Sequence, residues 1–276
     1  MSRRPRGRYG SGVTVLLRGA PVLDGTGADP THASVLIDGE HIRAVGDVPP
    51  PRDADVVDLD GLTLLPGLID AHTHLGLVSV IDPGPVPVAV AAAQIFQNVE
   101  LALLSGHTTV REVGGLDGGV AQAIDAGLIP GPRLLPSGPA LCQTGGHGDL
   151  GPPFLPHDHR HVGTPGLSQM SVVCDGPDEV RVAARTAFRR GATQLKVCIS
   201  GGVVSFTDRL EDTQFTVEEL RAAVDEARAR DTYVTAHAHT TPRRSATAST
   251  PAWSASSTAR SWTRRRRRAW RRRVRR

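Results

Sequence analysis

Along residues 13–62 the hydrophobic positions fall in short β-rich runs, Val13–Leu17, Ser34–Ile37, Ile42–Val45 and Val56–Leu59, with no helical period. Asp24-Gly25 and Asp38-Gly39 supply turn chemistry between them. The pattern predicts a small β domain over residues 13–62. From Leu62 it changes to strand–helix alternation, the mark of a parallel α/β architecture. Thr63–Ala71, Thr108–Val113, Arg133–Leu141, Gln194–Ile199 and Thr232–His239 read as five strands. Between them, Val86–Ser105 and Val120–Ala126 read as helices closed by Gly106 and Gly127. A helix from Pro177 runs to Arg190-Gly191, and another is capped by Thr216 with Glu219 three residues on, a capping box. A Gly/Pro/His-rich loop fills the stretch up to about Asp175. The spacing of roughly 35 to 45 residues per unit suits a (β/α)8 TIM barrel. No G-x-G-x-x-G follows any strand, so a dinucleotide fold is disfavoured. Residues 63–240 supply about five of the eight strands such a barrel needs. The expectation is an α/β chain, a partial barrel with a small N-terminal β domain.

Composition adds a boundary. The whole chain of 276 residues has 32 basic and 28 acidic groups, a formal net charge of +4. That mean hides a break, because residues 241–276 hold 13 Arg and no Asp, Glu or Lys. Residues 1–240 therefore keep 19 basic against 28 acidic groups, a net of −9. Trp253, Trp262 and Trp270 all lie in the tail, and Val274 is its one residue among Ile, Leu, Val, Phe and Met. A segment so poor in apolar side chains cannot offset its ordering entropy, so residues 241–276 are expected to be an unstructured tail. Residues 1–12 are expected to be a disordered basic N-terminus. No apolar run is long enough for a transmembrane helix, and no apolar stretch follows the basic start to make a secretory signal. With three cysteines, a reducing cytoplasm is the default compartment. Cys142, Cys174 and Cys198 lack metal-ligand spacing and read as small buried residues.

The candidate chemistry sits at strand ends. His72 and His74 close the first strand, two residues apart, so both imidazoles face one side. His237 and His239 repeat the arrangement on the fifth. One His-x-His is a weak metal signal and is more often two satisfied polar histidines; two such pairs, each ending an apolar strand, favour ligation of Zn²⁺ or a related ion. Lys196 is the one lysine among 19 basic residues of the body. It lies on a strand before Ser200-Gly201-Gly202, where a buried cation is costly. An amine can take up carbon dioxide as an anionic carbamate that bridges metals, which a guanidinium does not readily do. A lysine with its tip in solvent is the plainer alternative. His157, His159 and His161 form a further His-rich tract, read as a substrate-side loop.

Pro66-Gly67-Leu68-Ile69-Asp70-Ala71-His72-Thr73-His74 resembles the opening metal motif of the amidohydrolase superfamily. With Gly145-Gly146-His147-Gly148-Asp149, Lys196 before Ser200-Gly201-Gly202-Val203, and Ala236-His237-Ala238-His239, residues 13–240 resemble its imidazolonepropionase-like branch. Within that branch they look most like Xaa-Pro dipeptidases, related carboxypeptidases and ochratoxin amidase. The resemblance implies a hydrolase acting on C–N bonds, on a dipeptide or N-acyl amino acid, with a cyclic amide such as an imidazolone as the alternative. It implies two divalent metal ions, Zn²⁺ by default, with carbon dioxide held as a carbamate on Lys196. Carried over, His72 and His74 bind one metal, Lys196 bridges both, His237 binds the second, and His147 and His239 face the substrate or its developing oxyanion. Its partners are small-molecule amides, with no specific nucleic acid and no membrane, and a homo-oligomer for the full-length parent.

Two family parts are missing. No His or Asp follows His239, so a second-metal His on strand six and a proton-shuttling Asp on strand eight have no counterpart. Read one base earlier, permitted codons for Ala255–Ala259 can give Ile-Glu-His-Gly, and Trp262 followed by Thr263 must give Asp. The tail is therefore expected to be a shifted frame of a longer enzyme, and the chain as written to be inactive. A tail taken at face value could instead bind nucleic acid or anionic surfaces through its Arg and Trp side chains.

Overall fold

The computed structural model describes residues 13–78, 86–151, 153–154 and 163–239, and the backbone of 255–256. Residues 1–12, the His157, His159 and His161 tract and nearly all of the tail lie outside it. The chain divides into two compact units, Met1–Leu68 with Ala126–Leu128, and Ile69–Asp125 with Ile129–Arg276.

The first unit is built on a four-stranded sheet of β1 (Thr14–Arg18), β2 (Ser34–Asp38), β3 (His41–Gly46) and β4 (Asp55–Asp58), ordered β3-β2-β1-β4. β1 runs antiparallel to β2 and parallel to β4, and β2 is antiparallel to β3 with a bulge between Leu36 and Ile37. Val15, Leu16 and Val35 are the buried apolar side chains of these strands. A two-residue antiparallel pair, Pro21–Val22 with Thr31–His32, accompanies it and has no counterpart in the sequence pattern.

The second unit alternates strands and helices. β5 (Leu68–Thr73), β6 (His107–Glu112) and β7 (Arg133–Leu135) form one sheet in that order. β8 (Ala140–Cys142), β9 (Ser171–Val173), β10 (Leu195–Cys198), β11 (Val234–His237) and β12 (Ala255–Ser256) form a second, ordered β9-β8-β10-β11-β12, every pair parallel. The helices are α1 (Val88–Leu104), α2 (Gly118–Asp125), α3 (Gly176–Arg189) and α4 (Val217–Arg228). This is an α/β fold. Among the described residues no helix is long and apolar enough to cross a membrane.

Two helices show why the second sheet is covered. α3 buries Val180, Ala183, Ala184 and Ala187, and α4 buries Leu220, Ala223, Val224 and Ala227. Both sets have i, i+3, i+4, i+7 spacing, one apolar stripe per helix. They enclose a core with Leu141, Leu195, Val197, Val234 and Ala236 from the strands. The alanines keep the stripes shallow. α4 starts at the expected capping box: Thr216 Oγ1 accepts the Glu219 N–H at 3.3 Å, and Glu219 Oε2 accepts the Thr216 N–H at 2.6 Å. Glu219 Oε1 also accepts the Gly176 N–H at 2.7 Å, tying the start of α3 to that of α4. Thr216→Ala is expected to cost about 1 kcal/mol, read as a lower urea midpoint, while Thr216→Ser keeps the cap.

Four boundaries differ from the sequence reading. The first strand of the second unit begins at Leu68 rather than Thr63, because Pro66 has no N–H for a ladder. The run Arg133–Leu141 is not one strand: it breaks after Leu135 at Pro136-Ser137-Gly138-Pro139, and its two halves join different sheets. Ser171–Val173, read as loop, pairs with β8 at Leu141↔Val172. In the tail, read as unstructured, Ala255–Ser256 pairs with β11 at Thr235↔Ala255. An edge strand offers unpaired N–H and C=O groups to a strand of almost any sequence.

Candidate metal centre

Parallel register builds the site. Lys196 lies opposite Thr235, and Cys198 opposite His237. Alternation then puts Leu195, Val197, Val234 and Ala236 on the helix-covered face and Lys196, Cys198, Thr235 and His237 on the other. His239 continues the series just past β11, where its N–H donates to Ser200 Oγ at 2.8 Å. Its ring meets that of His237 edge-on, with centroids 5.0 Å apart.

His72 and His74 stand at the end of β5 with ring centroids 5.3 Å apart and planes at 67°. Asp70 Oδ1 accepts the His72 backbone N–H at 3.0 Å. His74 Nδ1 lies 2.8 Å from the Gly114 carbonyl oxygen, which can only accept, so Nδ1 carries the proton and Nε2 keeps its lone pair. The same argument reverses His237: its Nε2 lies 3.2 Å from the Gly201 carbonyl oxygen and is the protonated atom, leaving Nδ1 bare.

His147 comes from the loop after β8 and stacks on His237, centroids 4.2 Å apart and planes at 24°. Burial lowers the proton affinity of His74, with the Gly114 carbonyl opposing and the Lys196 charge adding to it. Burial also lowers His147, which feels His239, Lys196 and His74, with Asp208 opposing. His237 is pushed down to about 3, by burial first and then by His147 and Lys196. His147 and His237 are in ring contact, Lys196 shares a face with His237 on the neighbouring strand, and the Lys196 charge also acts on His74. Lys196 is 3% exposed. Burial lowers its proton affinity, Cys198 and Glu112 oppose, and Arg111 adds to the lowering. Among the described residues, no group of three or more His, Cys, Asp or Glu side chains is placed to hold a metal ion.

Sequence reasoning missed Glu112. This side chain is 0% exposed at the end of β6. Its Oε2 accepts the Gly114 N–H at 3.1 Å. Oε1 accepts no hydrogen bond among the described residues. Burial drives its carboxyl up to about 8, against the Gly114, Leu116 and Gly76 amides and the Lys196 charge; the Leu116 and Gly76 amides favour the anion without reaching hydrogen-bond geometry with Oε1. An acidic residue closing a predicted barrel strand was the available signal. The three cysteines are buried free thiols, as expected.

The sequence from 63 to 248 matches the amidohydrolase family. The chain belongs to that family. It is 34% identical over 248 residues to the ochratoxinase of Aspergillus niger, covering 82% of this chain and 50% of that one. A solved prolidase complexed with N-methylphosphonate-L-proline is 39% identical with a TM-score of 0.75, over 86% of this chain and 58% of the other. A solved Xaa-Pro dipeptidase with methionine bound in its active site is 31% identical with a TM-score of 0.71, over 82% of this chain and 57% of the other. This amidohydrolase-family chain thus spans half to three-fifths of the length of these relatives.

Proposed function

We propose that this chain carries the N-terminal part of a metal-dependent amidohydrolase that cleaves an amide C–N bond in a dipeptide or N-acyl amino acid. In this reading residues 63–240 are the first five strands of a (β/α)8 barrel, with β7 and β8 as two pieces of the third. The observation that carries it is that the buried Lys196 shares one face of two adjacent parallel strands with His237, on whose ring His147 stacks. The names of the relatives, a prolidase, a Xaa-Pro dipeptidase and an ochratoxinase, support the substrate class.

The residues present fit a pair of divalent ions. Neutral imidazole is the form that binds Zn²⁺, and burial favours that form at His74 and His237. A buried amine pushed toward its neutral form can take up carbon dioxide, and a carbamate on Lys196 would supply the anionic ligand that the histidines lack. His72 and His74 would hold one ion and His237 the other, with Lys196 between them. Bound metal supplies a water of lowered pKa and polarises the scissile carbonyl. His147 and His239 would orient the substrate: the stack on His237 fixes the first, and the bond to Ser200 Oγ fixes the backbone of the second.

No His or Asp follows His239, so this chain lacks a second imidazole for the His237 ion and an acid/base carboxylate from a later strand. It is therefore expected to bind metal and turn over little or nothing. The test is purified protein incubated with Zn²⁺ and bicarbonate, then metal analysis and hydrolysis of Xaa-Pro dipeptides. Bound zinc without turnover is the expected result. Steady turnover would refute inactivity, and absence of bound zinc would refute the ligand set.

A further inference from the structure

We propose that Ser205 and Asp208 are positioning residues that hold His147 as its Nδ1–H tautomer and present a bare Nε2 to the site. The argument is an accounting of donors around one hydroxyl. His147 Nδ1 lies 3.1 Å from Ser205 Oγ, and either atom could in principle donate. Ser205 has a single proton. Among the described residues its other hydrogen-bond neighbours are an Asp208 carboxylate oxygen and the Gly202 carbonyl oxygen, the latter at 3.4 Å. Both of these only accept.

The direction at Asp208 is fixed independently. Gln214 Oε1 accepts the backbone N–H of His147 at 3.1 Å, so the amide's Nε2 is the end turned toward Asp208 Oδ2, at 2.7 Å. Asp208 therefore accepts on both oxygens, from Gln214 and from Ser205. Ser205 directs its proton to Asp208, and its lone pair receives the Nδ1–H of His147. Two further contacts keep the ring from turning over. On one face it stacks on His237 at 4.2 Å. Against Gly202 there is no room at all: a Cβ added there would lie 1.9 Å from His147 Cε1 and 2.1 Å from Nδ1. Gly202, Ser205 and Asp208 thus form one cradle on the segment after β10, and Gln214 closes it.

The consequence concerns the substrate. A neutral His147 with a bare Nε2 accepts a hydrogen bond rather than donating one. It would meet an N–H or ammonium group of the substrate and not a developing oxyanion. This deepens the amidohydrolase reading and rests on it for that consequence, but the tautomer is a property of the chain without substrate or metal.

The test is ring-nitrogen NMR of the full chain, labelled with ¹⁵N-histidine, metal-free at pH 8, with His147 assigned through His147→Gln. Proton-bearing Nδ1 and bare Nε2 are expected at His147. Ser205→Ala should shift His147 to the Nε2–H form, Asp208→Ala should weaken the preference, and Ser205→Thr should restore it. The His74 Nδ1–H signature should persist in every variant and reports that the fold is intact. Nε2–H at His147 in the unmodified chain overturns the proposal without recourse to any variant, as does an unchanged tautomer in a folded Ser205→Ala. Failure to bind zinc in the metal assay would sink the functional reading and leave this result standing.

Discussion

Lys196→Arg is expected to abolish zinc uptake and to lower the stability of the folded chain by several kcal/mol, whereas Lys196→Met should abolish uptake alone. Lys196 is 3% exposed, and burial already lowers the proton affinity of its amine. An amine can respond to an apolar site by giving up its proton; a guanidinium cannot. The arginine charge stays, and the effective cost of an ion moved out of water is on the order of several kcal/mol. Methionine has similar volume and no charge to bury. Urea unfolding separates the two variants through their midpoints at constant m, and metal analysis reads uptake. Equal midpoints for Arg and wild type would show that the charged tip reaches solvent, and the bridging role would fall with it.

Glu112→Gln should change the pH dependence of stability in a stated direction. The carboxyl is raised from 4.5 to about 8 in the folded chain. Its contribution is therefore fully present below about pH 4.5 and is lost as the pH rises toward 8, since the unfolded chain ionises first. At roughly 1.4 kcal/mol per unit, the ceiling is about 5 kcal/mol. Glutamine has no proton to lose. Measured metal-free, the variant should gain on wild type steadily between pH 4.5 and 8. His237, pushed down to about 3, has the opposite slope: its contribution is present above pH 6.5 and is lost as the pH falls toward 3. That slope is common to both proteins and cancels in the difference. A difference that stays flat across the window would mean that Glu112 titrates at its ordinary value.

Much of this was legible in the sequence because periodicity and chemistry coincide there. The stripes Val180–Ala187 and Leu220–Ala227 repeat at helical spacing, so α3 and α4 fall within one or two residues of their expected limits. Alternation alone put His237 on the face opposite Val234 and Ala236, as the register has it. Other features lay beyond a linear reading. Ser171–Val173 is too short to show a period, and only the edge of β8 makes it a strand. Arg133–Leu141 is mostly apolar, and its pattern did not reveal that Pro136 and Pro139 redirect the chain into another sheet. Glu112 looks like any strand-ending acid until burial is known. Ser205 and His147 are 58 positions apart, and no local pattern links a loop serine to a loop histidine across that interval.

The break in the third strand has a mechanical consequence. Where the ladder stops, Gln194 donates from Nε2 to the carbonyl oxygens of Glu112 and Leu135, each at 3.1 Å. The Thr193 N–H donates to the Pro136 carbonyl oxygen at 2.8 Å, and the Ser137 N–H to that of Glu112 at 3.1 Å. A few discrete bolts thus join the sheet that carries His72 and His74 to the sheet that carries Lys196 and His237. A continuous ladder transmits displacement rigidly, while a bolted seam yields at the bolts. The spacing between the His72/His74 end and the Lys196/His237 end is accordingly governed by these few bonds, and the two made by the buried Gln194 amide are where a substitution would loosen the seam first.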